Sequence, residues 1–130
     1  AAPGVRQGVD CCWPCRKTCR SIFVNADPEM VKHAADTGTD RVELYTEPYA
    51  SMFKVNPEKA IEPFITAANA CKEVGLGLNA GHDLNLENLS YFNRHIANLL
   101  EVSIGHALIS DALYFGLENA IQLYLQQLRS

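Results

Sequence analysis

The chain has 130 residues, 48% hydrophobic and 20% charged, the balance of an ordinary globular domain and not of a disordered or fibrous segment. Eleven Lys and Arg stand against fifteen Asp and Glu, and the resulting formal charge of -4, with the cations scattered, speaks against nucleic acid or an anionic membrane as partner. No apolar run approaches the roughly 18 residues that span a bilayer, and no basic-then-apolar leader opens the chain, so a single cytoplasmic domain is expected.

From Ser21 onward short apolar runs alternate with helical patterns, which is the signature of βα units and a parallel sheet. The first unit is the run SIFVN, with Asp27 as helix cap, Pro28 at the first helical position and Val31, Ala34 and Ala35 on one face, ending at Gly38. The second is the strand RVELY, a turn-rich loop over 46–57, and a helix with Ile61, Phe64, Ile65, Ala68 and Cys71 on one stripe. Pro63 lies inside that stripe, so a kink there or a helix start near Glu62 is expected.

The third strand is LGLN over 76–79, followed by the loop AGHDLN and a short helix through Leu89, Tyr91 and Phe92. The fourth is LEVSI over 100–104, followed by Gly105-His106, a helical stretch over 107–115 and, beyond Gly116, an amphipathic helix presenting Leu117, Ala120, Ile121, Tyr124, Leu125 and Leu128. Such units build either an open doubly wound sheet or part of a closed barrel, and pattern alone does not separate the two. An eight-unit barrel takes roughly 250 residues, so four units are about half of one.

In parallel α/β folds the ligand site lies at the carboxyl ends of the strands. The polar residues placed there are Asn25 and Asp27, then Glu43, then Asn79 with His82 and Asp83, then Gly105 and His106. Glu43 faces away from Val42 and Leu44, either as an ordinary salt-bridged edge residue or as a carboxylate kept inside for a task. His82 follows Ala80-Gly81, whose small size leaves room for a ligand; an imidazole there can exchange protons near neutral pH, or can merely be solvated. Asp83 can orient that ring or cap the next turn. Gly105, at the end of an apolar strand and the start of a helix, offers free N–H groups to an anion, although one glycine is far weaker than a full phosphate loop. His33 and His95 are expected on the surface.

The stretches SIFVNADPEMVKHAADTGTDRVELYTEPYA, GLGLNAGHDLNLENL and LLEVSIGHALISDALYFGLENAI together resemble the second half of pyridoxine 5'-phosphate synthases, over essentially 21–129. The resemblance implies an α/β fold, a partial TIM (β/α)8 barrel with strands five to eight and their helices in residues 21–130. It implies condensation of 3-amino-2-oxopropyl phosphate with 1-deoxy-D-xylulose 5-phosphate to pyridoxine 5'-phosphate, phosphate and water. It implies no metal or organic cofactor, small phosphorylated substrates as partners, and a homo-oligomer in the intact family. By the same resemblance His82 is the proton-donating histidine, Glu43 the glutamate that stabilises charge or relays protons, and Asp83, Gly105 and His106 bind the amino-ketone phosphate. The family's remaining active-site residues belong to its first four strands, and nothing in residues 1–20 stands for them, so no turnover is expected from this polypeptide alone.

Residues 1–20 do not resemble the family and hold four of the five cysteines, Cys11, Cys12, Cys15 and Cys19. The expected origin is a truncated or frame-shifted coding region rejoining the frame near Ser21. A metal site is the alternative, but the cysteines lack two separated CxxC knuckles; a disulfide scaffold fits a cytosolic enzyme poorly. A non-catalytic, phosphate-binding half-barrel is the other functional alternative.

Overall fold

The computed structural model describes residues 18–129; the readings placed on Cys11, Cys12 and Cys15 lie outside them. Four strands, β1 (Ser21–Val24), β2 (Arg41–Tyr45), β3 (Gly77–Gly81) and β4 (Leu99–Ser103), form one sheet in the order β1-β2-β3-β4, parallel throughout. A doubly wound sheet reverses its strand order at a switch point, and this one does not. The order is that of consecutive units in a barrel, so the α/β class is as expected.

Alternation divides the sheet into two faces. Ile22, Val24, Val42, Leu44, Leu78, Ala80 and Val102 turn to the helices and make up the strand side of the core. Phe23, Glu43, Asn79 and Glu101 stand side by side in register on the other face, with Tyr45, Gly81 and Ser103 in the next row. A bulge at Leu100 keeps β4 in phase: Leu99 pairs with Leu78 and Glu101 with Asn79, so two residues that would share a face are turned apart. That shift brings Glu101 within 2.6 Å of the buried Arg41, whose guanidinium also reaches Asn79.

Helix α1 (Pro28–Asp36) begins as expected, with the Asp27 carboxylate accepting from the Glu29 N–H at 2.9 Å and Pro28 at the start. Residues 46–57 are not a loop. They contain α2 (Glu47–Phe53), whose Tyr49 is fully buried and packs its ring against Phe53, Phe64 and Phe92. The Glu47-Pro48 pair that reads as a turn is a helical first turn, where a proline loses no bond.

Helix α3 (Pro57–Val74) runs through Pro63 and starts five residues earlier than Glu62. Asn56 caps it by accepting from the Lys59 N–H at 3.0 Å, Pro57 opens it, and burial of Ala60, Ile61 and Phe64 on both sides of Pro63 holds it together. Gly75 ends it at φ 73, the left-handed conformation that suits glycine. Helix α4 (Leu89–His95) is short; α5 (His106–Phe115) and α6 (Leu117–Arg129) pack on each other, joined by a 2.7 Å bond from the Tyr124 hydroxyl to Asp111. His33 and His95 are exposed, as expected.

Strand β3 extends two residues beyond its expected end. Ala80 and Gly81 read as loop formers, yet both are ladder residues between β2 and β4.

Candidate functional site

Parallel strands end together, and the residues at their carboxyl ends form one rim. Glu43 sits on β2 with its side chain 18% exposed, and its Oε1 lies 3.3 Å from Nδ1 of His82. That contact is close enough for charge to be felt but is not an aligned hydrogen bond, so Glu43 Oε1 is a buried acceptor without a hydrogen-bond partner. Among the described residues it is the one buried side-chain oxygen or nitrogen in that condition. Buried acceptors are nearly always satisfied, and an exception calls for a cause: a reaction, a bound ligand, an ion or an ordered water.

His82 is the non-glycine residue with positive φ, at 72°, among the described residues. This left-handed conformation costs a side chain on the order of 1 kcal/mol and persists where neighbours over-determine it. Here the neighbours are specific. The His82 N–H donates to Ser103 O at 2.7 Å, extending the β3–β4 ladder, and the ring meets Phe23 edge-on at 5.5 Å. Phe23 in turn meets Tyr45 edge-on at 5.6 Å. The imidazole remains 63% exposed beside the largely buried Glu43 carboxylate.

Gly81 is small for a physical reason: a Cβ there would stand 2.4 Å from Ser103 O and 3.0 Å from Glu43 Oε1. Only a bare backbone lets β3 pass between them.

Asp83 engages the loop through its backbone. Its N–H reaches Gly81 O at 3.1 Å and Thr46 Oγ1 at 3.3 Å, and its carbonyl accepts from Asn88 Nδ2 at 3.3 Å. Gly105 caps α5 without a side-chain bond, and His106 opens that helix, both exposed. They follow two and three residues after Ser103, whose carbonyl holds His82. His82 is thus in contact with Glu43, Asp83 follows it in the same turn, and Gly105-His106 come just after the Ser103 carbonyl that accepts from the His82 N–H.

Phe23, Thr46 and Ser103 take part in the rim without having been singled out in the sequence. Phe23 had a signal: it is the residue of SIFV that alternation places beside Glu43. Among the described residues no group of three or more His, Cys, Asp or Glu converges on a point that holds a metal ion, and no helix is long and apolar enough to cross a membrane.

The model of the family described as "Pyridoxal phosphate biosynthesis protein PdxJ" matches residues 15–130. The chain belongs to this family. Its relatives include the pyridoxine 5'-phosphate synthase of Bacteroides thetaiotaomicron, 62% identical over 109 residues, which are 84% of this chain and 46% of that protein. The synthase of Phocaeicola vulgatus is 63% identical over 110 residues, 85% of this chain and 46% of its own length. That of Flavobacterium johnsoniae is 52% identical over 109 residues, again 84% and 46%. The chain therefore spans about half the length of the curated relatives it matches. Membership in the family ties the chain to vitamin B6 biosynthesis and agrees with the expectation carried by the NAGHDLN and SIGHALI stretches.

Proposed function

We propose that residues 21–130 are the carboxyl-terminal half of a (β/α)8 barrel, strands five to eight, and supply proton transfer and phosphate binding to pyridoxine 5'-phosphate synthesis. The observation that carries this reading is the 3.3 Å approach of His82 Nδ1 to a buried Glu43 oxygen that lacks a hydrogen bond, at the rim where such folds bind substrate. The names of the relatives support the product, pyridoxine 5'-phosphate, and the family resemblance implies the substrates: 3-amino-2-oxopropyl phosphate and 1-deoxy-D-xylulose 5-phosphate, joined with loss of phosphate and water.

Attack of the amine of one on the ketone of the other creates and removes charge at nitrogen and oxygen in turn, so the site needs a group that both gives and takes protons. His82 does this through its exposed ring, while Glu43 beside it stabilises the imidazolium that each proton uptake forms. The amino-ketone phosphate is a dianion on a chain of charge -4, and it is held by the first N–H groups of α5 and by His106. The carboxylate of Asp83 repels a phosphate but suits the ammonium end of the same substrate, which sets its orientation. No cofactor is needed for these steps.

The test is binding followed residue by residue. The pure chain is titrated with 3-amino-2-oxopropyl phosphate while the histidine ring signals are observed by NMR. His82 and His106 are expected to shift together and saturate at one concentration, and His106→Ala to weaken binding roughly tenfold, the loss of one charge-assisted bond. The pure chain is expected to bind without forming product, and co-expression with the amino-terminal half of a relative to restore growth of a cell lacking the synthase. An ester that leaves both rings unmoved would overturn the assignment.

A further inference from the structure

We propose that Thr46 is the positioning residue for His82, its one hydroxyl holding the peptide groups on both sides of the histidine so that the imidazole stays on Glu43. The inference rests on His82 being the proton-transfer group.

Thr46 follows the last residue of β2 and is fully buried. A hydroxyl offers one donor and accepts two bonds, and here both roles are spent on one tripeptide. Thr46 Oγ1 donates a short bond to Gly81 O, and it accepts from the Asp83 N–H at 3.3 Å. The residue between them is His82, at φ 72. From the other side Ser103 O takes the His82 N–H at 2.7 Å, so the turn is gripped by β2 through a side chain and by β4 through backbone.

The ordinary role for a threonine at this position is helix capping, since Thr46 is the N-cap of α2 and threonine is a preferred cap. The structure rules that role out for the side chain, which makes no cap bond; its carbonyl begins the helix by accepting from Ala50 N–H at 3.0 Å. The hydroxyl is turned instead to the loop after β3. Valine, of the same shape, keeps the packing and removes both bonds.

The experiment compares the labelled full chain with Thr46→Val and Thr46→Ser by NMR. In the unsubstituted chain a slowly exchanging Thr46 hydroxyl proton is expected, close to the Gly81 α-protons and the Asp83 amide. In Thr46→Val the Asp83 amide, left with only its 3.1 Å bond to Gly81 O, is expected to exchange roughly threefold to tenfold faster, while the Val42 and Leu78 amides keep their protection. The ring contact between His82 and Phe23 is lost with it. Thr46→Ser, which restores the hydroxyl, is expected to keep both.

A Thr46→Val chain that retains the His82–Phe23 contact overturns the proposal, as does a Thr46→Ser chain that loses it. Should Thr46→Val fail to fold, the hydroxyl proton of the unsubstituted chain decides: its presence with those neighbours supports the proposal, and rapid exchange overturns it. The phosphate-ester titration separates this from the reading on which it rests. An ester that leaves His82 unmoved, in a chain where Thr46→Val releases the ring, refutes the catalytic assignment and leaves the positioning intact.

Discussion

Replacing Gly81 by alanine tests the geometry of the rim with one methyl group. The new carbon would lie 2.4 Å from Ser103 O and 2.8 Å from Ser103 Cβ. The first is roughly 1 Å inside ordinary van der Waals separation. The oxygen is backbone and is already bonded to the His82 N–H at 2.7 Å, so it cannot rotate aside; β3 and β4 must separate at Gly81 and Ser103. Overpacking of this kind costs about 1 to 3 kcal/mol where side chains yield, and a backbone obstacle puts Gly81→Ala at about 3 or more. Gly77→Ala is the internal control. Its Cβ would meet Arg41 Cγ at 2.8 Å and Leu100 Cδ1 at 2.9 Å, both side-chain atoms, and Leu100 is half exposed and free to swing. Arg41 is buried and held by Glu101 and Asn79, so its Cγ yields less readily than Leu100, and about 1 to 2 kcal/mol is expected there. In urea titrations Gly81→Ala should lower the midpoint by about 2 M and Gly77→Ala by clearly less. Hydrogen exchange should locate the damage, with the His82 amide losing protection in Gly81→Ala alone. Equal losses in the two variants, or a Gly81→Ala midpoint within about 0.3 M of the parent, would refute the reasoning.

Three further perturbations follow from the same structure. Burial pushes the Cys71 thiol up from 9.0 to about 11, and burial also raises Tyr49 and Tyr124. The unfolded chain therefore releases these protons first, so the stability they contribute is complete below about pH 9 and is lost as pH rises through the folded values; Tm should fall between about pH 9 and 11, and less steeply in Cys71→Ala. Tyr49→Phe removes the 2.7 Å bond to the Asn88 carbonyl and leaves that oxygen buried, an expected loss of about 1 to 2 kcal/mol by denaturant titration, with faster amide exchange over 85–88. Glu101→Gln discharges the partner of Arg41, but Glu101 is 52% exposed, so solvent limits the loss to about 1 kcal/mol, and added salt should shrink the difference from the parent in a thermal melt.

The strands and most helices were legible because their apolar residues recur at the right period, and Asp27-Pro28 states its helix start outright. Helix α2 was hidden because Tyr49 looks like a loop aromatic until Phe53, Phe64 and Phe92 are seen around it, and the latter two come from other helices. Asn56-Pro57 is as good a start as Asp27-Pro28, but Pro63 drew the expected boundary inward; packing on both sides of a proline is a tertiary fact. Glu43 could be picked out as a carboxylate between Val42 and Leu44, and His82 as a titratable residue after a small pair. Thr46 could not. Its partner carbonyl lies 35 residues away, and a threonine before Glu-Pro carries every local mark of a cap. The bulge at Leu100 was equally silent, since only the register with β3 reveals that Leu99 and Glu101 face opposite ways.

The uninterrupted strand order bears on how the chain folds as it leaves the ribosome. Each strand docks on the one made just before it, so loop closure stays local and no earlier pairing has to reopen. The rim does not mature at the same pace. Glu43 and Thr46 arrive with the second strand and His82 with the third, but the Ser103 carbonyl that grips the histidine arrives only with the fourth. A nascent chain stalled before Ser103 would have most of its sheet and a loosely held imidazole, and the last strand both closes the ladder and seats the chemistry.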